Sequence, residues 1–271
     1  MLTFHLNGRV QFASNDEQIY HSMLVFPAMM ASARNDRVLI IGGGDGLALR
    51  DVLSWDPKEV LLLDLDRELV KFFTNEKDGG ENRAFIKMNK GSFSDPRVQT
   101  KFGDAWLSVD QLIKQGKRFD TIIVDLPDPN HPDLNKLYST GFYTKLRSIL
   151  AGDGVMAVQS TSPYHSKRTF LSIGRTIEAS GFAKVDQYHA NVPSFGEWGW
   201  TIAAPHGLSP KARIKQFDGP MPKAWATLPM IKASFVFGRD FFAQRSTIDI
   251  NRPRSGTLYR YLMEDWDEMR D

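Results

Sequence analysis

Short apolar runs alternate with amphipathic stretches through the middle of the chain. The runs are rich in β-branched residues, as buried strands are. Strands that alternate with helices predict a doubly wound α/β fold with a parallel sheet. The predicted strands are residues 38–41, 60–63, 98–102, 121–124 and 155–158, with a less regular sixth at 183–188. Ligands bind at the carboxyl ends of the strands in such sheets, so residues that follow these runs are the candidates for a site.

Both ends of the chain depart from this alternation. At the start, Asn7-Gly8 separates two short alternating stretches and favours a two-residue turn, which predicts a β-hairpin. A helix follows from Tyr20 and is expected to end near Pro27, because proline has no N–H for the helical hydrogen bond. The predicted organisation is a hairpin with a linking helix at 1–27, an α/β domain at 28–204 and a helical appendage at 205–271.

Two segments are predicted without a role in chemistry. In the appendage, one helix with a dense aromatic face is predicted between 225 and 242 and another at 258–266. Aromatic side chains at helical spacing are typical of a packed surface. Between residues 74 and 97 the apolar pattern fails, and residues 77–82 are interpreted as a surface insertion or mobile loop.

The composition excludes several classes of function. With 271 residues, 42% of them hydrophobic, the chain can bury the core of one main domain. Lysine and arginine (34) nearly balance aspartate and glutamate (32) without a long block of like charge, so no nucleic-acid partner is predicted. The lack of cysteine excludes disulfides and thiolate metal sites. No apolar run approaches the roughly 20 residues of a membrane helix and the first residues do not resemble a signal peptide, which predicts a soluble, cytoplasmic chain.

A glycine cluster directly follows the first predicted strand. Its glycines are Gly42, Gly43, Gly44 and Gly46. Such a turn places backbone N–H groups at a helix N-terminus, where a nucleoside-type ligand can approach closely. Leu47 interrupts the full GxGxxG pattern, which disfavours a nicotinamide dinucleotide. Asp64 ends the second strand about 20 positions after Gly42, the spacing of an acid that holds ribose hydroxyls. The motif therefore favours a nucleoside site, with plain turn chemistry as the alternative.

Further acids follow other strands. Asp125 and Asp128 stand three positions apart in a loop with two prolines, where fixed carboxylates can hold a cation and accept a proton. Asp104 is expected either to accept the amino group of adenine or to cap the helix that begins near Trp106. Among the histidines only His21 is placed near the site, and no spacing suits a metal centre or a catalytic triad.

Together these motifs resemble the polyamine aminopropyltransferases, whose typical member is spermidine synthase. The resemblance covers about residue 5 to residue 204 in the family's order, and its specific part is the Gly-Gly-Gly-Asp-Gly turn combined with the Asp-x-x-Asp-Pro loop. It implies a Rossmann-like sheet of the S-adenosylmethionine methyltransferase type. It also implies transfer of an aminopropyl group from decarboxylated S-adenosylmethionine to an amine acceptor, with release of 5′-methylthioadenosine and no prosthetic group.

The resemblance assigns nucleoside contacts to matching positions. Gln11 and Asp64 would hold the nucleoside, with Asp64 on the ribose hydroxyls where most members carry glutamate. Asp104 and the backbone N–H of Ala105 would bind adenine, and Pro132 would line it. These roles are expectations from the family, and they agree with the strand-end position of Asp64 and Asp104.

The resemblance also assigns the amine contacts. Asp125 would accept the proton of the attacking amine, which is almost fully protonated at neutral pH because its pKa is about 10.4. Asp45 would repel the carboxylate of intact S-adenosylmethionine and attract a bare ammonium, which favours the decarboxylated donor. The residues expected to bind amine groups or line the acceptor site are Tyr20, His21, Asp45, Asp128 and Gln159.

Three positions depart from the family pattern. Ser22 and Thr161 stand where acids are usual, and Phe195 stands where a tyrosine is usual. These changes favour a bulkier or less charged amine over putrescine, and Glu197 is a candidate to compensate. Two alternatives stay open: an N-methyltransferase that uses intact S-adenosylmethionine, and a nucleoside-binding domain without catalysis.

Two features bear on assembly. Dimers are usual in the family, which predicts a homodimer, although the N-terminal sheet that often contributes to the contact is shorter here. The short sheet and the extra tail resemble members in which this domain follows a membrane region. A free cytoplasmic protein and a domain tethered behind an upstream membrane region are therefore both expected alternatives.

Overall fold

The strands form one small hairpin and one large sheet. The computed structural model describes residues 1–6, 8–76, 80 and 82–268. The strands are β1 Thr3–Leu6, β2 Arg9–Ala13, β3 Arg37–Gly42, β4 Glu59–Asp64, β5 Val98–Phe102, β6 Phe119–Asp125, β7 Leu150–Gln159, β8 Lys184–Val192 and β9 Gly196–Ala204. The large sheet has seven strands in the order β5-β4-β3-β6-β7-β9-β8. All six predicted strands are confirmed.

Helices connect the strands and cover both faces of the sheet. Their bounds are α1 Glu17–Ala31, α2 Leu47–Leu53, α3 Arg67–Thr74, α4 Arg83–Met88, α5 Ala105–Lys114, α6 Pro132–Asn135, α7 Thr140–Ile149, α8 Lys167–Ala179, α9 Pro210–Gln216, α10 Leu228–Ala233 and α11 Thr257–Glu268. Side chains alternate between the faces of β3: Val38 and Ile40 pack in the core with α1, whereas Leu39 and Ile41 pack in the core with α7. The predicted doubly wound α/β fold is confirmed.

Parallel pairing brings the carboxyl ends of three central strands together. β3 pairs in parallel with β4 and with β6, and Gly42 lies opposite Asp125 in the register. In the next pair, Asp64 lies opposite Phe102 at the end of β5. The glycine turn and two of the strand-end acids therefore share one edge of the sheet.

The sheet is mixed and not wholly parallel. β9 pairs antiparallel with β7 and with β8, so the last two strands form a hairpin. The prediction of a parallel sheet is wrong for this part, because the turn between Val192 and Gly196 is far too short for a parallel crossover. The sequence pattern did not predict β9, since Gly196 and Gly199 lie within it and glycine weakens the indication of a strand.

Helix α1 does not end at Pro27 as predicted but continues to Ala31. Proline at this position leaves the carbonyl of Met23 without its usual helical partner. The hydroxyl of Tyr188 in β8 donates a hydrogen bond of 2.8 Å to that carbonyl. A side chain more than 160 residues away in sequence thus replaces the missing donor, which the local pattern could not indicate.

The predicted N-terminal hairpin is confirmed, with β1 and β2 paired antiparallel. Gly8 lies in its turn, whereas Asn7 is outside the described residues. Phe4 and Phe12 stack at 5.5 Å between ring centroids and pack against Phe73 and Phe85 from α3 and α4. This aromatic cluster attaches the hairpin to the main sheet.

The segment predicted as an insertion contains the short helix α4. Of its residues 77–82, only Gly80 and Asn82 are among those described, so the prediction of a surface loop lies largely outside them. Asn82 is buried, and its side-chain amide donates to the carbonyls of Phe72 and Asn75. The end of the segment is therefore fixed to α3.

The tail is helical only in parts. The helix predicted between 225 and 242 is present but shorter, as α10 from Leu228 to Ala233, and Phe237, Phe241 and Phe242 pack against one another beyond its end. The predicted final helix is confirmed as α11. Ile231 joins the core under α1, which indicates that the tail packs against the main sheet. The boundaries at 27 and 204 remain predictions. None of the helices described is long and apolar enough to cross a membrane.

Candidate active site at the carboxyl ends of the strands

A cavity of about 980 Å³ lies at the carboxyl ends of β3, β4 and β6. It has the size of a small-molecule site. The predicted site residues that line it are Gln11, Tyr20, His21, Gly42, Gly43, Gly44, Asp45, Asp64, Asp104, Ala105, Asp125, Asp128 and Gln159. Two predicted residues do not line it. Pro132 is exposed at the first turn of α6, from which Leu134 lines the cavity instead. Gly46 begins α2 and packs against the ring of Phe93.

The glycine turn passes directly against β6. Gly42 has a φ of +82°, a conformation that residues with a side chain rarely adopt, and a Cβ there would overlap the carbonyl oxygen of Asp125. The N–H of Gly43 donates to the same carbonyl at 3.2 Å. A Cβ on Gly44 would lie 2.7 Å from a carboxylate oxygen of Asp64. The turn therefore packs closely against two acids that line the cavity.

Replacement of Gly42 by alanine is expected to lower the free energy of unfolding by at least about 2 kcal/mol, because it combines backbone strain with overlap at Asp125. Chemical denaturation measures the change. Gly116→Ala is the matched control, since Gly116 also has a positive φ (+65°) but no atom within 4 Å of the added Cβ. An equal loss in both variants would mean that the close approach to β6 is not important.

Asp45 and Asp125 form a carboxylate pair in the cavity. The side chain of Asp45 accepts a hydrogen bond from the N–H of Leu47 at 2.8 Å, and that of Asp125 accepts one from the hydroxyl of Tyr20 at 2.8 Å. Burial raises the pKa of both carboxyls above the ordinary value, whereas the positive charge of His21 opposes the rise. The raised pKa makes each carboxyl a better proton acceptor, and the ionised form of either can bind a cation.

Asp64 ends β4 on the other side of the glycine turn. Its side chain is almost buried and accepts a hydrogen bond of 2.7 Å from the N–H of Asp66. Burial raises its pKa to about 6, with the negative charge of Asp45 acting in the same direction. A carboxylate in this position has lone pairs left for two neighbouring hydroxyl groups.

His21 is held by its own helix. Its Nδ1 lies 2.7 Å from the carbonyl oxygen of Glu17 and 3.0 Å from a side-chain oxygen of the same residue. Burial alone would lower the pKa of His21. The hydrogen bond to Glu17 and the negative charge of Asp45 raise it by more, so that the net pKa is about 9. His21 is therefore an imidazolium at neutral pH.

The side chains of Tyr138 and Gln159 hold the Asp125–Asp128 loop in place. The hydroxyl of Tyr138 shares its single hydrogen between the carbonyls of Leu126 and Pro127, at 3.2 and 3.0 Å. The side-chain amide of Gln159 donates to the carbonyl of Leu126 at 2.9 Å and to the carboxylate of Asp128 at 3.2 Å. These contacts hold the loop that carries the two acids.

Asp104 caps α5, as one of the two sequence hypotheses stated. One carboxylate oxygen accepts from the N–H of Trp106 at 2.8 Å, and the other accepts from Lys136 at 2.7 Å. Burial raises the pKa of Asp104, but Lys136 and the capping bonds lower it more, so that the net shift is downward. Because each oxygen can accept more than one bond, capping leaves contact with an adenine amino group available.

The three departures from the family pattern lie in different surroundings. Phe195 lines the cavity beside Trp198, at 5.0 Å between centroids. Thr161 has a φ of +59°, rare for a β-branched residue, and its hydroxyl lies 3.4 Å from the carboxylate of Asp128. Ser22 does not line this cavity. Its hydroxyl donates to the carbonyl of Gln18 on its own helix at 2.5 Å. The cavity wall at Phe195 and Trp198 is therefore aromatic.

Several residues of the cavity were not predicted from the sequence. Lys136, Trp198 and, from α11, Trp266 line it. No motif marks them, because they reach the cavity only through the packing of distant elements. Glu197, the proposed compensating acid, pairs with His189 and is not among the lining residues. Among the described residues no group of three or more His, Cys, Asp or Glu could hold a metal ion.

Known proteins are similar in sequence to most of this chain. The model of the spermine/spermidine synthase domain family matches residues 17–214. A polyamine aminopropyltransferase from Shewanella oneidensis is 48% identical over 97% of this chain and 46% of its own length. Polyamine aminopropyltransferase 2 from Bacillus anthracis is 37% identical over 98% of this chain and 71% of its own. The chain spans about half the length of several such relatives.

A solved structure agrees in fold. A crystal structure of spermidine synthase in complex with the transition state analogue AdoDATO superimposes with a TM-score of 0.75 at 25% identity, covering 90% of this chain and 81% of that one. The motifs at the carboxyl ends of the strands, the matched family model and the similarity to these relatives agree. The chain belongs to the spermine/spermidine synthase domain family.

Proposed function

We propose that the protein transfers the aminopropyl group of decarboxylated S-adenosylmethionine to an amine acceptor and releases 5′-methylthioadenosine. The observation that carries the proposal is the position of Asp125: a carboxylate of raised pKa that lines the cavity beside the glycine turn, with Tyr20 on one oxygen. The names of the relatives and the analogue bound to the solved spermidine synthase support it. The homodimer remains a prediction.

The nucleoside would bind between β4 and β5. Asp64 would accept the ribose hydroxyls, and the backbone turn at Gly44 allows the sugar to approach because it has no side chain. Asp104 and the N–H of Ala105 would bind adenine, while Gln11 from β2 would close the site from the hairpin. Exposed Leu65 offers an apolar surface beside them.

The reaction needs a neutral amine in line with the carbon–sulfur bond. Asp125 would accept one proton from the ammonium of the acceptor, and the freed nitrogen lone pair would attack the methylene carbon next to the sulfonium. A carbon–nitrogen bond forms, the carbon–sulfur bond breaks, and its electron pair remains on the neutral thioether sulfur of methylthioadenosine. Correct alignment of such groups can supply about 7–11 kcal/mol.

The acceptor would lie against aromatic rings. Tyr20, Phe195 and Trp198 come within 6.4 Å of one another, measured between ring centroids, and all line the cavity. Aromatic faces attract ammonium groups and alkyl chains alike. Asp128 would hold the amine, with Gln159 fixing its carboxylate. This surface favours an amine that is bulkier or carries less charge than a short diamine.

The test is production of methylthioadenosine from the decarboxylated donor with an amine panel. The panel contains a four-carbon diamine, a longer triamine and a four-carbon monoamine, and chromatography detects the product. We expect turnover with at least one amine, and we expect Phe195→Tyr to shift the preference towards the diamine about 10-fold, because the added hydroxyl can form one hydrogen bond with an ammonium group of the diamine.

Two outcomes count against the proposal. Binding of methylthioadenosine without turnover on any amine would identify a nucleoside-binding domain instead. Methylation of an amine by intact S-adenosylmethionine, with no product from the decarboxylated donor, would identify a methyltransferase. Trp225→Phe is the matched control for Phe195→Tyr, because Trp225 is an aromatic residue that does not line the cavity. It should leave the preference among the amines unchanged.

A further inference from the structure

Three charged side chains form a chain of contacts behind the cavity. Arg50 in α2 donates to both carboxylate oxygens of Glu17, at 2.8 and 3.1 Å. Glu17 in turn faces Nδ1 of His21, and His21 lines the cavity. The side chains of Glu17 and Arg50 are 2% and 9% exposed, so this contact is buried and weakly screened by solvent.

The geometry fixes the position of one proton. Nδ1 of His21 lies close to two oxygens of Glu17, one from the backbone and one from the carboxylate, and both can only accept. Nδ1 must therefore carry a hydrogen. The other ring nitrogen remains on the side away from Glu17. Its protonation state depends on the charges at the cavity.

The charged groups near His21 come from its own helix, from α2, from the glycine turn and from β6. Glu17 lies on its own helix, Arg50 and Asp51 lie on α2, Asp45 lies in the glycine turn and Asp125 lies at the end of β6. The carboxylates favour the charged imidazole, whereas burial and Arg50 disfavour it. Glu17 is the one among these acids that is hydrogen-bonded to the ring. Burial raises the pKa of the Glu17 carboxyl, but its hydrogen bonds to His21 and to Arg50 lower it more, to about 2, so Glu17 stays ionised.

We propose that Glu17, fixed by Arg50, is a positioning residue that keeps His21 protonated beside Asp45 and Asp125, so that both carboxylates stay ionised for donor binding and proton acceptance. The role rests on the proposed aminopropyl transfer. Without the positive charge of His21, two buried acids in one cavity would repel each other, and one of them would take up a proton. A protonated Asp125 could not accept the proton of the amine.

These charges determine the direction in which the pH profile of activity shifts when Glu17 is replaced. Glu17→Gln removes the charge that holds the imidazolium, so the pKa of His21 falls by about 1–3 units, as expected on loss of a hydrogen-bonded opposite charge. With His21 neutral, the pKa values of Asp45 and Asp125 rise. The acid limb of the activity profile, where these carboxylates become protonated, therefore moves to higher pH.

The direct test is an NMR titration of the His21 ring in the whole protein, with a His21→Asn variant to identify its resonance. We expect the pKa of His21 to lie well above the ordinary value of about 6.5 and to fall in Glu17→Gln. Glu17→Asp, which retains the charge, should restore part of the shift. A His21 pKa at or below the ordinary value in the unmodified protein would overturn the proposal without any variant.

The second measurement is the pH profile of methylthioadenosine production. Glu17→Gln should move the acid limb upward, whereas Glu178→Gln, which breaks a surface contact with Arg245, should leave it unchanged. A His21 pKa that falls while the acid limb stays in place would overturn the positioning role. Because the NMR titration needs no turnover, failure of the proposed activity would not be confused with failure of this inference. Binding of methylthioadenosine, measured by calorimetry, shows that each variant keeps its fold.

Discussion

Replacement of Asp125 by asparagine is expected to reduce aminopropyl transfer by about 10²–10⁴-fold, the usual effect of losing a general base. Asparagine has the same shape and still accepts the hydrogen bond from Tyr20, but it cannot take a proton from an ammonium. Affinity for methylthioadenosine should stay unchanged, since that product carries no amine. Stopped assays of methylthioadenosine production and calorimetry with the same compound measure the two effects.

The matched control is Asp133→Asn. Asp133 also lines the cavity, but on the exposed segment that begins α6, away from the glycine turn. It should retain nearly full activity. If Asp125→Asn were as active as the unmodified protein, another group would have to accept the proton, and the mechanism proposed above would be wrong.

The second large effect concerns the donor. The unmodified protein is expected to bind decarboxylated S-adenosylmethionine more tightly than intact S-adenosylmethionine, because Asp45 attracts an ammonium and repels a carboxylate. Asp45→Asn should weaken binding of the decarboxylated donor by about 10–100-fold, which corresponds to one hydrogen bond to a charged group. The intact donor should lose much less. Calorimetry with both donors measures the preference.

Methylthioadenosine serves as the internal control for this experiment, since it lacks the charged chain and should bind equally to both proteins. Tighter binding of the intact donor by the unmodified protein would contradict the role of Asp45 and would favour a methyltransferase. The raised pKa of Asp45, about 6, also predicts a pH dependence of donor binding. The affinity of the protein for the decarboxylated donor should decrease as pH falls through this value and the carboxyl becomes protonated.

Sequence patterns predicted those strands whose own residues carry the signal, without help from residues distant in sequence. The apolar runs and the glycine turn indicated the central parallel strands β3, β4 and β6, because these strands are buried on both faces and need apolar residues along most of their length. The hairpin of β8 and β9 and the continuation of α1 through Pro27 could not be predicted in this way. Both depend on partners that are distant in sequence, such as Tyr188 for Met23.

The position of several acids in the cavity could also be predicted from the order of the strands. Acids that end strands lie in the cavity because strand ends meet at one edge, a rule that needs only the order of elements. Trp266 and Lys136 were missed because they arrive from helices whose packing no local motif fixes. Ser22 shows the converse, since it neighbours His21 in the sequence but lies on another face of α1. Adjacency along a helix does not by itself place two side chains in one site, since Tyr20 and His21 share the cavity and Ser22 does not.

The hydrogen bond from Tyr188 to Met23 also limits where acceptor specificity can change. Helix α1 carries Tyr20 and His21, is buried along almost its whole length and is joined to the sheet at its proline, so any change in its path would disturb the core. Phe195, by contrast, lies in the short turn between β8 and β9, where its ring contacts Tyr20 and Trp198 but is not part of α1. If the cavity binds an amine as proposed, variation at this turn would change the acceptor while the path of α1 stays the same.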